Sequence, residues 1–352
     1  MRMIEWLSRL SLSVALAITA AELSTASQAY AATEAALPLP SYGDIAVDEA
    51  RQQVFITGGP AANSILVTNF SGSVTKIIDN ELGATGLELS ADGTKLYTAL
   101  AAGDAISVID TVTLAEITRY PTGPQSCPTH LARTGPVLWY GYGCDGTFTG
   151  KIGKLDSAAA TPVPVGNQQG NVRFQRAPLL SSAGTETGPL VAGQLALSSS
   201  MIQVYNPTGG VLTAGANGDV VGSSLTDLDL TSDGTALYSA AGSRDRVDAF
   251  SSVDLARSGA YSVRPRPNSV ALNGANTYIA TGAITGDNND VLLYKVGTSM
   301  PAKTFALGSG EVVAPRGLSW AGNTNRLFVI SQRDNQPQPN LTVIVSPQPP
   351  AV

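Results

Sequence analysis

Apolar and polar residues alternate at every second position through most of this chain, and the pattern is clearest across Leu87–Thr113. An Asp92-Gly93 pair separates the first alternating run from a second, Lys95–Leu100, and Gly103-Asp104 separates the second from a third. Alternation of this kind predicts half-buried β-strands. Asp-Gly is typical of tight turns between antiparallel strands, because glycine tolerates a positive φ. The stretch therefore predicts three short antiparallel strands, which is most of one blade of a β-propeller.

The same pattern returns along the chain. Leu228–Phe250 repeats the strand, Asp-Gly turn and strand almost residue for residue. The residue before the first apolar position of each predicted inner strand recurs at intervals of 42 to 49, at Asp44, Gly86, His130, Pro178, Asp227, Ser269 and Gly317. Repeats of this length are typical of four-stranded propeller blades. The sequence predicts an all-β, seven-bladed propeller of four-stranded antiparallel blades, with the boundary of the fourth blade the least defined.

The last blade lacks an outer strand of its own. After the predicted strand Leu341–Val345 the sequence becomes rich in proline, which cannot donate to a β-ladder. The segment Glu34–Pro40 precedes the first blade and has no partner within it. Because an open ring would leave unpaired strand edges, we expect Glu34–Pro40 to complete the last blade and close the ring. The propeller would then span residues 32–346, with a proline-rich tail at 347–352.

The first 31 residues resemble an export signal. Arg2 and Arg9 precede the apolar run Leu10–Ala21, which is too short to span a bilayer, and Ala29-Tyr30-Ala31 matches an Ala-x-Ala cleavage pattern. We interpret residues 1–31 as a secretory signal peptide; an uncleaved anchor or a buried helix is the alternative. No later stretch of the sequence is apolar enough over a sufficient length to predict a transmembrane segment.

Composition narrows the classes of partner. The net charge is −6, so neither nucleic acid nor an anionic membrane surface is an expected partner. The two cysteines, Cys127 and Cys144, flank a predicted strand, and in an oxidising compartment they are expected to form a disulfide. Closing that 18-residue loop would stabilise the fold by about 3 kcal/mol. A zinc site is not expected from two cysteines and the single histidine, His130.

The residues of the second repeat resemble a known family. Leu89-Ser90-Ala91-Asp92-Gly93, Leu96-Tyr97 and Ile106–Asp110 are similar to the repeat of the YVTN-type β-propellers, a bacterial and archaeal group of quinoprotein-like seven-bladed propellers. The family motif specifies strand and turn geometry and carries no catalytic residue that could be transferred. The resemblance implies that an exported member is often a surface-layer or cell-surface protein.

Basic residues suggest a binding site at one end of the ring. Arg264 and Arg266 precede the sixth blade, Arg316 opens the seventh, and Arg176 precedes the fourth. Thr129 and Asn268 each come directly before the residue that marks the start of a predicted inner strand, in blades 3 and 6. Arginines gathered at one mouth could hold a carboxylate or phosphate by forked hydrogen bonds, although ordinary surface pairing with acids is the alternative.

A carboxylate site is the competing hypothesis. Asp44, Asp227 and Asn268 could ring the axis and hold a divalent metal, as in a lactonase-like hydrolase, or they could bond locally and between blades. The oxygen-rich loop Gly286–Asp290 could bind Ca²⁺ or could be a solvated turn. A set of three aromatic residues resembles a sugar-stacking site: Trp139, Tyr140 and Tyr142. At least part of this set is expected to lie in the core. His130, as the only histidine, is the only candidate base for a serine triad.

Because nearly every recognisable residue serves the repeat, the sequence favours a secreted binding scaffold over an enzyme. We expect a monomer without a cofactor that binds an unidentified protein, a cell-wall component or a small anionic ligand. A metal-assisted hydrolase in the central funnel is the first alternative, and it requires three or more carboxylate or amide oxygens that converge on the axis. A redox-cofactor protein is the second alternative, which an aromatic content of only 6% argues against.

Overall fold

The computed structural model describes residues 32–144, 148–156, 172–284, 289–322, 325–333 and 336–348. The strands in chain order are β1 (Ala32–Ala36), β2 (Ile45–Asp48), β3 (Gln53–Thr57), β4 (Ser64–Asn69), β5 (Val74–Asp79), β6 (Ala84–Leu89), β7 (Lys95–Leu100), β8 (Ala105–Asp110), β9 (Glu116–Pro121), β10 (His130–Thr134), β11 (Val137–Tyr142), β12 (Lys151–Asp156), β13 (Leu179–Ser182), β14 (Leu190–Gly193), β15 (Ile202–Thr208), β16 (Val211–Gly218), β17 (Leu225–Leu230), β18 (Ala236–Ala241), β19 (Arg246–Ser251), β20 (Arg257–Ser262), β21 (Pro267–Leu272), β22 (Tyr278–Ala283), β23 (Val291–Lys295), β24 (Lys303–Phe305), β25 (Glu311–Ala321), β26 (Arg326–Arg333) and β27 (Gln336–Val345).

These strands form seven antiparallel sheets, one for each predicted blade. Blades 1, 2, 4, 5 and 6 each contain four strands that pair in chain order from an inner strand outward. Blade 3 has β10, β11 and β12, and the residues that follow, 157–171, lie outside the described part. The prediction of a seven-bladed, all-β propeller is confirmed, and no α-helix occurs in the described residues.

The amino-terminal strand closes the ring, as the sequence predicted. β1 pairs with β27 on the outer edge of blade 7, with Ala35 opposite Leu341. The strand begins two residues earlier than the predicted Glu34–Pro40 and ends at Ala36, but the chain stays attached beyond it. The Leu37 N–H donates to the carbonyl oxygen of Pro339 at 2.9 Å, and the Leu37 side chain is fully buried. The seam is therefore held by both backbone pairing and core packing.

The core consists of seven clusters of buried apolar side chains, one at each junction between neighbouring blades. At the junction of blades 1 and 2, for example, Phe55 packs with Leu87 and Leu96. Alternation explains this arrangement, because each strand presents every second side chain to the blade on one side. Polar loops then lie at the two ends of the ring.

We define the upper face as the end of the ring at which the inner strands begin, and the lower face as the end at which they finish. The loops between second and third strands also lie on the upper face, since neighbouring strands are antiparallel. The predicted disulfide, Cys127–Cys144, joins two such upper-face segments of blade 3, with 5.1 Å between the Cα atoms. In the described residues, no helix has the length and hydropathy needed to cross a bilayer.

Candidate functional site

Arg316 enters the central channel from an irregularity in the inner strand of blade 7. The register of β25 against β26 shifts between Val313 and Leu318, so the residues between them leave the ladder. Arg316 has φ of +57°, a left-handed conformation that few non-glycine residues adopt. The neighbouring Gly317 has no room for a side chain, because a Cβ atom there would lie 2.7 Å from the Ile330 carbonyl oxygen. This local geometry, which ordinary strand pairing would not produce, directs the guanidinium toward the axis.

The Arg316 guanidinium links three blades across the channel. Nη1 donates to Nδ1 of His130, at the start of the inner strand of blade 3. Nη2 donates to the carbonyl oxygen of Gly43, just before blade 1. The carbonyl oxygen of Arg316 in turn accepts from the Tyr42 hydroxyl at 2.8 Å. We call this group, Arg316 with His130, Gly43 and Tyr42, the axial crosslink.

His130 is neutral in this arrangement. Its side chain is buried, and both that burial and the adjacent Arg316 cation hold its pKa well below the usual value. Because Nδ1 accepts a hydrogen bond from the guanidinium, we assign the ring proton to Nε2. His130 was the candidate catalytic base in the sequence. One of its two ring nitrogens, Nδ1, therefore already accepts a hydrogen bond from Arg316.

A cavity of about 400 Å³ occupies the axis, and Arg316, His130 and three aspartates line it: Asp44, Asp227 and Asp229. It extends toward the lower face, where Glu49 and Gly322 also line it. The predicted site residues Asp44, Asp227 and Arg316 are therefore brought together at the axis. Asp229 was missed, although it lies two positions after Asp227 in a strand, and that spacing places both on one face.

The aspartate oxygens of the axial cavity are engaged by the ring itself. Asp227 Oδ2 accepts from the Val270 N–H at 2.8 Å and from the Ser269 hydroxyl at 3.0 Å. Asp44 Oδ2 accepts from the Leu87 N–H at 3.0 Å, and Asp229 Oδ2 accepts from the Leu272 N–H at 2.7 Å. Each of these bonds joins one blade to the next. Bonding between blades was the alternative to metal binding for Asp44 and Asp227 in the sequence.

Burial dominates the electrostatics of these aspartates. It raises the pKa of Asp227 and of Asp229 to about 7, against the backbone N–H bonds, which act in the opposite direction. Burial also raises the pKa of Asp44, and the Arg316 cation partly offsets the effect. The axial cavity thus contains carboxyl groups that hold protons more readily than exposed ones do.

The hydrolase hypothesis requires carboxylate or amide oxygens that converge on the axis. In the described residues, no group of three or more histidine, cysteine, aspartate or glutamate side chains is placed to hold a metal ion. Asn268 is buried and donates through Nδ2 to the carbonyl oxygen of Val313 in blade 7. Its amide is therefore another junction contact between blades.

A second cavity, of about 480 Å³, opens on the upper face. Segments of blades 1 to 4 line it, and the predicted site residues Thr129 and Arg176 are among them. His130 lines both cavities, so the axial crosslink lies between them. We call the second space the upper cavity.

The four arginines do not converge on one mouth in this structure. Arg176 lines the upper cavity and Arg316 lines the axial cavity. Arg264 and Arg266 are exposed and line neither cavity, and the Arg266 backbone N–H donates to Asp245 Oδ1 at 3.3 Å. The four arginines therefore do not line a common cavity.

The remaining candidate sites have structural roles where they are described. Trp139 and Tyr140 are buried, and Trp139 Nε1 donates to the Thr134 hydroxyl at 2.7 Å, so these rings are core rather than a stacking platform. Residues 286–288, which are most of the candidate calcium loop, lie outside the described residues, as does the candidate signal peptide. The last residue of that loop, Asp290, is buried and accepts from the Leu307 N–H at 2.8 Å.

Comparison with known proteins shows the fold alone. No family model matches the chain, and no curated protein matches its sequence. Many solved structures are similar to it, among them a chain in a crystal structure of the mitotic checkpoint complex. That chain has a TM-score of 0.69 and 14% sequence identity, over 96% of this chain and 99% of the other.

Proposed function

We propose that this protein is an exported binding scaffold that recognises its partner through the upper face. The observation that carries the proposal is a difference between the axial polar groups, which bond to other blades, and the upper-face segments, which surround an open cavity. The axial polar groups Asp44, Asp227 and Arg316 bond to neighbouring blades, whereas the upper-face segments of four blades enclose a cavity that reaches solvent beside Ala102 and Arg176. Concave sites that open to solvent are where ligands usually bind.

Export is supported by the disulfide as well as by the amino-terminal sequence pattern. A Cys127–Cys144 bond persists in oxidising compartments and is uncommon in the cytosol. Fractionation of cells that express the full chain with a carboxyl-terminal epitope tests this part of the proposal. We expect the protein outside the cytoplasm, with an amino terminus at or near Ala32; a full-length cytosolic protein with reduced cysteines would contradict it.

Binding by the upper face is tested by crosslinking the secreted protein in its own extracellular fraction, with matched surface variants. Phe148 and Arg266 are exposed on the upper face, and Val253 and Met300 are exposed on the lower face. We expect Phe148→Ala/Arg266→Ala to lose crosslinked products that Val253→Ala/Met300→Ala keeps. Equal recovery by both double variants would argue against the upper face.

A further inference from the structure

His130 has a hydrogen-bond donor that no neighbouring residue uses. Its Nδ1 accepts from the Arg316 guanidinium, so the neutral ring carries its proton on Nε2. The side chain is only 4% exposed, and among the described residues the Nε2–H has no acceptor. An unpaired buried donor costs free energy, which a ligand that brings an acceptor would recover. His130 lines both cavities, and the groups beside it indicate which of them such a ligand fits.

The axial cavity offers further groups that can bond to the same ligand. Ser319, on the inner strand of blade 7, lines this cavity, and in the described part of the chain its hydroxyl has no hydrogen-bond partner. An ionised carboxylate has about four acceptor sites. Asp44 accepts one backbone N–H on each oxygen, from Ile45 and from Leu87, both at 3.0 Å. Its carboxylate therefore keeps acceptor capacity for a donor inside the cavity.

Donors and acceptors thus occur side by side in the lining of the axial cavity. His130 presents a donor, Asp44 presents acceptors, and the Ser319 hydroxyl can act as either. An ammonium ligand offers donors only, and a carboxylate or phosphate offers acceptors only, so neither can pair with all three groups. Hydroxyl groups both donate and accept, and they carry no charge whose burial would have to be compensated. The lining therefore favours a neutral ligand with several hydroxyl groups.

The size of the axial cavity suits one small molecule. Its volume of about 400 Å³ lies near the lower end of the range for small-molecule sites. Leu318 and Trp320 add apolar surface to the lining, against which C–H groups can pack. Gly274 and Gly322 line the cavity at its lower end, so a ligand would enter from the lower face.

We propose that the axial cavity binds a single neutral cyclic polyol of the size of a hexose, with hydroxyl groups paired to His130 Nε2, the Ser319 hydroxyl and the Asp44 carboxylate. The C–H groups of the ring pack against Leu318 and Trp320. This site goes beyond the proposed function, because it lies at the axis and opens on the lower face, whereas the proposed partner surface is the upper face. Either proposal can fail without the other.

Calorimetric titration of the full secreted chain tests the class of ligand. The neutral probes are glucose, galactose and mannose, and we expect at least one of them to bind with a Kd of about 1 mM or tighter. The tightest probe is then compared with its 2-amino-2-deoxy form, which is a cation, and with its uronate, which is an anion. Both charged forms should bind at least about tenfold more weakly. Failure of all three neutral sugars to bind, or tighter binding of a charged form, would overturn the proposal.

The single histidine gives a direct readout of the site. In long-range ¹H–¹⁵N spectra the Nε2 signal of His130 should shift as the neutral sugar is added, because the Nε2–H gains an acceptor. The Nδ1 signal should shift less, since its bond from Arg316 is already present. Sugar binding that leaves the Nε2 signal unchanged would show that the sugar lies elsewhere, and the assigned site would then be wrong.

Two variants and a control locate the ligand. A Cβ atom at Gly274 would meet no other atom within 4 Å, so Gly274→Trp can be accommodated and should abolish binding by filling the lower end of the cavity. Ser319→Ala removes one hydroxyl and should weaken binding by about three- to tenfold. Val253→Trp is the matched control, because it adds the same ring to an exposed lower-face position outside the cavity lining, and it should leave the affinity unchanged.

Circular dichroism monitors folding, so that a loss of binding can be separated from a loss of structure. If Gly274→Trp binds the sugar as tightly as Val253→Trp does, the ligand does not occupy the axial cavity. Should Gly274→Trp fail to fold, Ser319→Ala decides the site, because its hydroxyl has no partner among the described residues whose loss would disturb the fold. An unchanged affinity in Ser319→Ala would then overturn the assignment.

Discussion

Asp227, on the inner strand of blade 5, accepts the backbone N–H of Val270 in blade 6 at 2.8 Å through Oδ2. Its other oxygen, Oδ1, accepts the N–H of Leu228 in its own strand at 2.9 Å. One buried side chain therefore satisfies backbone donors on both sides of a blade junction. Asp44 does the same between blades 1 and 2, where it accepts from Leu87. Packing of apolar side chains holds the blades together, and these aspartates fix the register of neighbouring inner strands.

Replacing Asp227 with alanine should lower the free energy of unfolding by about 3 kcal/mol, because the substitution leaves buried donors at Val270 and Ser269 without an acceptor. Urea denaturation followed by circular dichroism measures the change. Asp254→Ala is the control, since Asp254 bonds within an exposed turn, to the Ala256 N–H and the Ser251 side chain, and its loss should cost less than about 1 kcal/mol. Equal losses of unfolding free energy in the two variants would show that the bonds across the blade junction stabilise the fold no more than a bond in an exposed turn does.

The same aspartates predict how stability depends on pH. Burial raises the folded-state pKa of Asp227 and Asp229 to about 7, whereas the unfolded chain has values near 3.8. The folded state therefore retains protons that the unfolded chain releases as the pH rises between these values. Their contribution is complete below the unfolded pKa and is lost as the pH rises through the folded one, at no more than about 1.4 kcal/mol per pH unit for each group.

The free energy of unfolding should accordingly fall between about pH 4.5 and pH 8, as measured by urea titration at each pH. Asp227→Asn removes one of the carboxyl groups with a raised pKa, so its slope over this interval should be shallower even though the variant is less stable. A stability that rises with pH across the interval in the unsubstituted protein would contradict the assignment of raised pKa values to these carboxyl groups.

The strands could be predicted from the sequence because alternation is a property of each strand taken alone. Lys95–Leu100 was predicted and found as β7, and the closing strand was displaced by only two residues at its start. The position of Arg316 could not be predicted in this way. It depends on the register shift between Val313 and Leu318, which arises from pairing with β26 and leaves no periodic signal.

The candidate site could be predicted from the sequence only in part, because contacts between distant blades leave no periodic signal. The repeat placed Arg266 and Arg316 at equivalent ends of neighbouring blades, but only Arg316 lines the axial cavity. Thr129 and Arg176 do line one cavity together. The pairing of His130 with Arg316 joins residues 186 positions apart, on blades 3 and 7, which no local pattern encodes.

The protonation state of His130 can be measured without ambiguity, because it is the only histidine in the chain. We expect its imidazole to stay neutral, with the proton on Nε2, through the range in which an ordinary histidine with a pKa of about 6.5 is protonated. Long-range ¹H–¹⁵N spectra of protein carrying a histidine-free tag report both charge and tautomer. An ordinary titration of the unsubstituted protein would contradict the axial crosslink.

Arg316→Ala should raise the pKa of His130 toward its usual value, because it removes one of the two causes that lower it. Burial, the larger cause, remains, so the shift should be incomplete. Arg266→Ala removes an exposed arginine and should leave the histidine signals unchanged. If Arg316→Ala also leaves the His130 resonances unchanged, the guanidinium does not contact the ring.

Closure of the ring predicts an unusual sensitivity near the amino terminus, where most chains tolerate substitution. Leu37 lies one residue beyond β1, is fully buried, and packs with Phe328 and Leu341 in the core between blades 7 and 1. Leu37→Ala should therefore cost about 3 kcal/mol of unfolding free energy, as expected for a cavity in a close-packed core. Val253→Ala, at a side chain that is 82% exposed, should change stability by less than about 0.5 kcal/mol. Denaturant titration of the two variants compares them directly, and a Leu37→Ala variant as stable as Val253→Ala would mean that the amino-terminal segment does not hold the ring closed.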